Sequence, residues 1–527
     1  MRPLLSPGWL SRSGLVLLNI LAGVLLALSF TTPVLKFLFF LYFVPLFLNF
    51  HRLSGKALLW HCLAFFMSFW TSLVYWTYIY AYRPLPLFLI LVVLGVYGLL
   101  WTLGTGLIMR YFFRWRVLLI PLTWVSLEYL TSLGYFGFPW GLAACSVSSL
   151  LPFIQIADLG GVWMVSFFVV LVNVLVAEMI VRRKDRKLLF RHAAVLAAVL
   201  VLGAGYGTLR LSKPLKPMNV RIGLVQPCVN PNLNWQTIRT QALAGLDAYT
   251  SLASADKPDL VVWPENAIQD YVLFNIKYSR YMKDPRYAEN LAFDLKALSL
   301  SAKYGVAIAL GILDVRRAVD GFKYYNSAVM VTPKSNIVGP YNKIHLVPFG
   351  EWFPLTRVFP FVRKMLDAVN AGDYTPGEAF TVFPLKDSRF SVLICYEGVF
   401  PGLARKFVLN GAKFFVNITD DMWSFNKQAH WQAAVLDIFR AVENRIPYVR
   451  CGNSGVTGVI DPYGRFPNPL PVLKPGYLVR DLASYPSSGP TLYTRWGDWF
   501  PLVCLVVSLF FLAAGIFLRL GSRRKRV

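Results

Sequence analysis

The chain has 527 residues, of which 56% are hydrophobic and only 15% charged, with 53 Lys and Arg against 27 Asp and Glu and a formal net charge of +26. Such an apolar excess argues against an ordinary soluble enzyme, and the length allows two or three domains. So basic a chain suggests nucleic acid, but outside the middle its basic residues lie mostly between apolar segments, where membrane topology explains them better.

Apolar segments of spanning or near-spanning length run at 14–31, 33–50, 57–81, 85–109, 117–133, 161–181, 192–211 and 499–520. The expected order is seven spans, a long polar insert and an eighth span. The domains then read as a membrane domain at 1–211, an insert at 212–498, a last span at 499–520 and a basic tail at 521–527. Arg52 and Lys56, then Arg110, Arg114 and Arg116, then the run Arg182 to Arg191, and last Arg523 to Arg526 all fall on one side of this arrangement. Basic loops stay in the cytoplasm, so both termini are expected inside and the insert outside. The loop 134–160 carries Phe138-Pro139-Trp140-Gly141, aromatic residues suited to interface depth. Glu128 lies within or near the fifth span, where a carboxylate must face protein or water; it is placed either to bind a polar head group or to tie two helices together.

The insert alternates strand and helix patterns. Val220 to Val225 is strand-like, and Trp235 to Ser254 follows with helical spacing. Leu260 to Trp263 is a strand ending at Pro264-Glu265-Asn266; Ala288 to Tyr304 is helical, and Val306 to Leu310 is again a strand. Two strands around Pro333-Lys334-Ser335-Asn336 make a hairpin leading to Lys343. Phe390 to Ile394 is a short apolar strand that stops at Cys395, ahead of a helix-length segment, Val399 to Leu409, and another strand, Phe414 to Ile418. This succession predicts a layered α/β or α+β domain.

Three reactive side chains, Glu265, Lys343 and Cys395, fall just beyond strands, where open sheets collect their active sites. A cysteine at a strand-to-helix turn is exposed as a nucleophile, with backbone N–H groups near a developing oxyanion. A carboxylate can take its proton, and a lysine ammonium favours the thiolate and then the tetrahedral oxyanion. Taken singly, the three also fit a helix-terminal acid, a surface charge and a buried thiol.

The surrounding words narrow the choice. WPE at 263–265, YNKIHLVPFGEW at 341–352 and ICYEG at 394–398 resemble the nitrilase superfamily, which uses Glu, Lys and Cys in that order. Over nearly its whole length the chain resembles the apolipoprotein N-acyltransferase family of bacterial envelopes, through Val225-Gln226-Pro227, FGFPW at 136–140, IADLGGVWMVSF at 156–167 and NSGVTGVIDPYG at 453–464.

The resemblance implies eight membrane helices with an αββα nitrilase-like domain outside the cytoplasm, in the periplasm of a bacterium with an inner membrane. It also implies Glu265 as general base, Lys343 as oxyanion stabiliser and Cys395 as nucleophile. Glu351, Tyr396 and Glu397 match the family's supporting residues, and Trp235 matches an aromatic near its substrate entrance. Phe349, Trp352, Phe353 and Trp423 are the further expected substrate contacts. The implied reaction moves a fatty acyl chain from a phospholipid, with phosphatidylethanolamine the expected donor. The acceptor is the α-amino group of a diacylglyceryl-modified N-terminal cysteine of an apolipoprotein, and no metal or organic cofactor is required. The chain departs from the family at Thr419-Asp420-Asp421-Met422-Trp423-Ser424, where Asn-Asp-Ala/Ser-Trp-Phe is more usual, and at Pro227-Cys228 in place of Gly-Asn.

Two other functions fit parts of the pattern: a membrane-anchored amidase in which water resolves the thioester, and a transporter with an outer binding module. Pro348 to Leu366, rich in aromatic and basic residues and broken by three prolines, is expected to be a membrane-facing arm, with a core loop as the alternative. Of the six cysteines, Cys62 and Cys504 lie in spans and Cys145 in the outer loop. Cys228 and Cys451 share a compartment that allows a disulfide, although free thiols are the simpler expectation.

Overall fold

The computed structural model describes residues 11–78, 84–319, 321–348, 350–352, 374–486 and 489–524. It divides into two units, Met1–Lys213 with Gly489–Val527, and Pro214–Ser488.

Among the described residues of the first unit, six helices are long and apolar enough to cross a membrane: Arg12–Ser29, Gly55–Tyr78, Leu87–Tyr111, Val162–Val181, Arg186–Leu211 and Trp499–Gly521. Two expected spans differ. Arg116–Thr131 is a helix of only 16 residues that contains Pro121. The segment 33–50 is broken into a 3-10 turn, Pro33–Leu38, and the 9-residue helix Val44–Arg52. Pro33 and Pro45 each sit at the start of their element, where a missing N–H costs least, and Pro45 does not suit the middle of one long helix over 33–50.

Backbone groups freed by that break need partners away from water. Asn173 supplies them: its Nδ2 donates to the Phe39 carbonyl (2.7 Å), and its Oδ1 accepts from the Phe43 N–H (3.0 Å). Asn19 and Asn49 exchange a reciprocal pair of side-chain hydrogen bonds. Buried Glu178 receives Arg116 and His51. Glu128 links its helix to the turn at Ala143, its Oε1 accepting from Trp124 Nε1 and from the Ala143 N–H, both at 2.7 Å, while its Oε2 has no hydrogen-bond partner among the described residues.

The second unit is built on two sheets. In the first, β1 (Lys216–Gln226), β2 (Leu260–Val262), β4 (Ala307–Ala318), β5 (Gly321–Val331), β6 (Ile337–Asn342) and β12 (Gly476–Ser484) run in the order β12-β1-β2-β4-β5-β6, and β3 (Ile268–Tyr271) pairs with β4. The second comprises β7 (Phe383–Leu385), β8 (Ser388–Ile394), β9 (Phe414–Thr419), β10 (Tyr448–Gly452) and β11 (Gly458–Ile460), in the order β11-β10-β9-β8-β7. Strand periodicity sorts the side chains. Leu260, Val262, Ala307 and Ala309 join Val392, Ile394, Val416 and Ile418 in one core between the sheets. Val261, Ile308 and Leu310 face the other way and pack with Trp235, Leu243, Leu246 and Leu298 of the helices Trp235–Ser254 and Pro285–Tyr304.

On β10 the same alternation sends Cys451 inward, its thiol against the Val225 and Val262 carbonyls (3.3 Å each). It sends Tyr448 and Arg450 outward to Asp437 on the helix Lys427–Asn444. All six cysteines are free, so Cys228 and Cys451 form no disulfide. The helix expected from Val399 is two elements, a 3-10 turn at Cys395–Val399 and a helix at Pro401–Leu409.

Candidate active site

Three strands of the second unit end at the same place. Glu265 follows β2, Lys343 follows β6, and Cys395 follows β8 on the other sheet. Glu265 and Lys343 are buried, 5% and 1% exposed, so each charge must be met locally.

Lys343 Nζ donates to Glu351 Oε1 at 2.8 Å and to Glu265 Oε1 at 3.4 Å. Asn326 on β5 bridges the same two carboxylates, its Nδ2 lying 2.8 Å from each. The second oxygen of Glu265 accepts from the Asp420 N–H (2.8 Å) and that of Glu351 from the Val347 N–H (2.9 Å). Burial alone would drive the proton from Lys343, yet the Glu351 and Glu265 charges hold its pKa well above the ordinary value. Burial pushes Glu265 upward; Lys343 opposes this and Glu351 adds to it. The Cys395 thiol is held well above its usual range by burial and then by Glu265, against the pull of Lys343. At rest the cluster therefore holds a thiol beside an ammonium and carboxylates, and burial makes Glu265 a stronger proton acceptor than a solvated glutamate.

Close backbone packing sets these positions. A Cβ on Gly311 of β4 would lie 2.6 Å from Asn266 N and 2.7 Å from the Glu265 Cα, so only glycine lets the 264–266 turn rest on that strand. Cys395 itself takes a left-handed backbone, φ +51°, as β8 turns into the 3-10 helix. Asn417 Nδ2 donates to the Cys395 carbonyl at 3.3 Å.

Glu397, expected as support, is a fully buried brace. Its Oε1 accepts from Tyr341 Oη (2.7 Å), Ile344 N (2.7 Å) and His345 N (3.1 Å), while Oε2 accepts from Ile394 N (2.8 Å). One carboxyl group thus pins the Lys343 loop to the Cys395 strand, and burial pushes it up to about 7 despite those bonds. Tyr396 packs edge-on against Phe400, 5.0 Å between ring centroids. His345 is pushed down to about 4 by burial and then by Lys343, so its imidazole stays neutral at ordinary pH.

Trp235 lines a narrow cleft next to Glu265, and its Nε1 donates to Asp270 Oδ2 at 2.9 Å. Trp352 is partly buried, and its backbone forms a bridge with Pro348. Phe349, Phe353 and most of the expected arm at 348–366 lie outside the described residues, as does the Trp423 side chain.

Sequence reasoning missed Asn326, Asn417 and the outer network around Arg450, which reaches Asp437 (2.6 Å), Asp421 (3.0 Å) and Asn417 (3.2 Å). Asn326 had no signal, being one asparagine within a hairpin strand. Asn453 had one, as the first residue of NSGVTGVIDPYG: its Nδ2 donates to Asp420 Oδ1 at 3.0 Å and to the Val229 carbonyl at 2.6 Å. Among the described residues, no group of three or more His, Cys, Asp and Glu is arranged to hold a metal ion.

Comparison with known proteins places both parts of the chain. Residues 22–175 match the apolipoprotein N-acyltransferase N-terminal domain, and residues 221–483 match the carbon-nitrogen hydrolase domain. The apolipoprotein N-acyltransferase of Geobacter metallireducens is 32% identical over 97% of this chain and 96% of that protein. Apolipoprotein N-acyltransferase 1 of Treponema denticola is 27% identical over 93% and 94%, and the Borreliella burgdorferi enzyme is 29% identical over 89% of each. A mutant of the Nesterenkonia AN1 amidase, from the nitrilase superfamily, gives a TM-score of 0.37 at 20% identity, covering 54% of this chain and 95% of that one.

Proposed function

The chain belongs to the apolipoprotein N-acyltransferase family, and from that premise we propose that it moves a fatty acyl chain from a phospholipid to the α-amino group of a diacylglyceryl-modified apolipoprotein. The observation that carries the reading is the buried Glu265–Lys343–Glu351 cluster around the strand-end Cys395, in a chain whose described residues also include six helices long and apolar enough to cross a membrane.

In the first half-reaction Cys395 gives its proton to Glu265, and the sulfur attacks the ester carbonyl. The resulting oxyanion is stabilised by the Lys343 ammonium, fixed in place by two carboxylates. The ester C–O bond breaks, Glu265 returns the proton to the leaving oxygen, and the lysophospholipid departs. In the second half-reaction the acceptor amine attacks the thioester and yields a proton to Glu265. The C–S bond breaks, and the thiolate is reprotonated. Asn326 and Glu351 orient Lys343 and Glu265 without joining the chemistry.

Phosphatidylethanolamine is the proposed donor. The membrane unit is proposed to cross the bilayer eight times, with Arg116–Thr131 and the broken 33–50 segment completing the count, and with domain limits at 211, 498 and 520. Both termini then lie in the cytoplasm and the catalytic unit in the periplasm. The basic clusters at Arg110 to Arg116 and Arg182 to Arg191 support this orientation. Family membership favours acyl transfer over a membrane-anchored amidase or a transporter.

Incubating the purified protein with acyl-labelled phospholipid tests the reading. Label should appear on Cys395 by mass spectrometry and pass to a diacylglyceryl lipopeptide when one is added. Release of free fatty acid at the same rate with and without the lipopeptide would make the protein a hydrolase.

A further inference from the structure

Beside Glu265, whose Oε2 accepts from the Asp420 N–H, lies a narrow cleft with room for about one water-sized group, which the triad chemistry does not use. Its apolar wall includes Trp235 and Leu246, and its polar wall includes Glu265, Asn266, Gln269 and Asp420. Among the described residues lining it, none is basic.

Two acceptor oxygens in that wall, on Asp420 and Asn266, are open to a ligand. Asp420 Oδ1 receives Asn453 Nδ2 (3.0 Å) and the Met422 N–H (3.3 Å), while no hydrogen bond reaches Oδ2 among the described residues. Asn266 Oδ1 is buried and has no hydrogen-bond partner, on a residue held at φ +51° by the turn after Glu265. The Trp235 indole is fixed by its bond to Asp270, which leaves a π-system in the apolar wall. A carboxylate oxygen, an amide oxygen and an aromatic wall call for a compact cationic donor. A phosphate or a free carboxylate would meet two acids here.

We propose that this space is an ammonium subsite, in which Asp420 selects the substrate bearing a primary amine. This rests on the acyl-transfer reading above, and both substrates of that reaction offer such a group: the ethanolamine head of the donor and the α-amino terminus of the acceptor. Burial, reinforced by Glu265, pushes Asp420 up to about 7, which leaves it ready to ionise when a cation arrives. Asn453 holds the carboxylate in place through Oδ1.

Binding to the full-length Cys395→Ala protein in micelles tests the subsite without turnover. Saturation-transfer NMR would compare glycerophosphoethanolamine and S-methylcysteine amide, each against its N-acetylated form. The subsite predicts that at least one free amine binds and its acetylated form does not, and that Asp420→Asn weakens binding roughly ten-fold. Asp420→Asn keeps the backbone N–H that supports Glu265, and Asp420→Glu should recover part of the lost affinity. The source is read on the wild-type catalytic residues. If the head group is the occupant, Asp420→Asn loses preference for phosphatidylethanolamine over phosphatidylglycerol in Cys395 acylation. If the acceptor is the occupant, KM for the lipopeptide rises roughly ten-fold while acylation is unchanged. Equal binding of free and acetylated probes, or no effect of Asp420→Asn in any arm, would overturn the subsite. Absence of a thioester in the wild-type protein would instead strike at the acyl-transfer reading, while the binding arm still judges the subsite.

Discussion

At the residue scale, the proposed triad is a small ionic lattice in which each member's protonation depends on the others. Lys343 is anchored to Glu351 at 2.8 Å, and Cys395 stays a thiol at rest. Cys395→Ser should abolish thioester formation in a folded protein, because a hydroxyl is far harder to ionise beside the same base. Lys343→Ala should slow acylation by about 100- to 1000-fold, the usual loss for one oxyanion donor, read from the rate of label appearing on Cys395. Glu265 must be a carboxylate to act as base, and its pKa is raised. The acylation rate should therefore climb with pH through a limb lying above the ordinary glutamate value of about 4.3, and Glu265→Gln should remove that limb. A limb unchanged by Glu265→Gln would mean that another group is the base.

At the element scale, the site depends on how closely strands and turns approach. Gly311 allows the Glu265 turn to lie on β4, and the atoms a Cβ would strike are backbone, which cannot swing aside. Gly311→Ala should displace Glu265, costing about 1–3 kcal/mol of stability and at least ten-fold in acylation rate in the protein that still folds. Melting followed by a single-turnover assay separates the two effects. Behind β9 and β10, Arg450 is 2% exposed and bonded to both Asp437 and Asp421. Arg450→Met would strand two buried carboxyls, a loss of about 3–5 kcal/mol that should appear as a lower melting temperature before any kinetic change. Several strand positions were legible beforehand: the apolar runs at 220–225, 260–263, 390–394 and 414–418 fall on β1, on β2, which stops at Val262, on β8 and on β9. The broken segment at 33–50 was not, because an apolar stretch with two prolines reads as a span until Asn173, far away in sequence, is seen to satisfy its freed backbone.

At the scale of the whole molecule, the second unit, Pro214–Ser488, is inserted between two parts of the first. The proposed orientation requires that chain to leave the membrane near Lys213 and return before Trp499 on the same side. A cytoplasm-specific reporter fused after Val527 should be active, and one inserted near Lys213 silent. The reverse pattern would mean that the spans are miscounted, and the short helix Arg116–Thr131 and the broken 33–50 segment are where the error would lie.

What the amino-acid sequence determined by itself was local or periodic: long apolar stretches, the asymmetry of Lys and Arg, strand runs, and the words around Glu265, Lys343 and Cys395. These survive without a structure because hydrophobic length, charge bias and strand-end chemistry are properties of contiguous residues. Only the tertiary structure decided which polar groups meet across the chain. Asn326 lies 61 residues from Glu265 and Asp420 lies 155, yet both bond to its carboxylate. Glu397 joins loops 53 residues apart. Such pairings depend on strand register and on the order of strands in two facing sheets, which follow from packing the whole core rather than from any one segment.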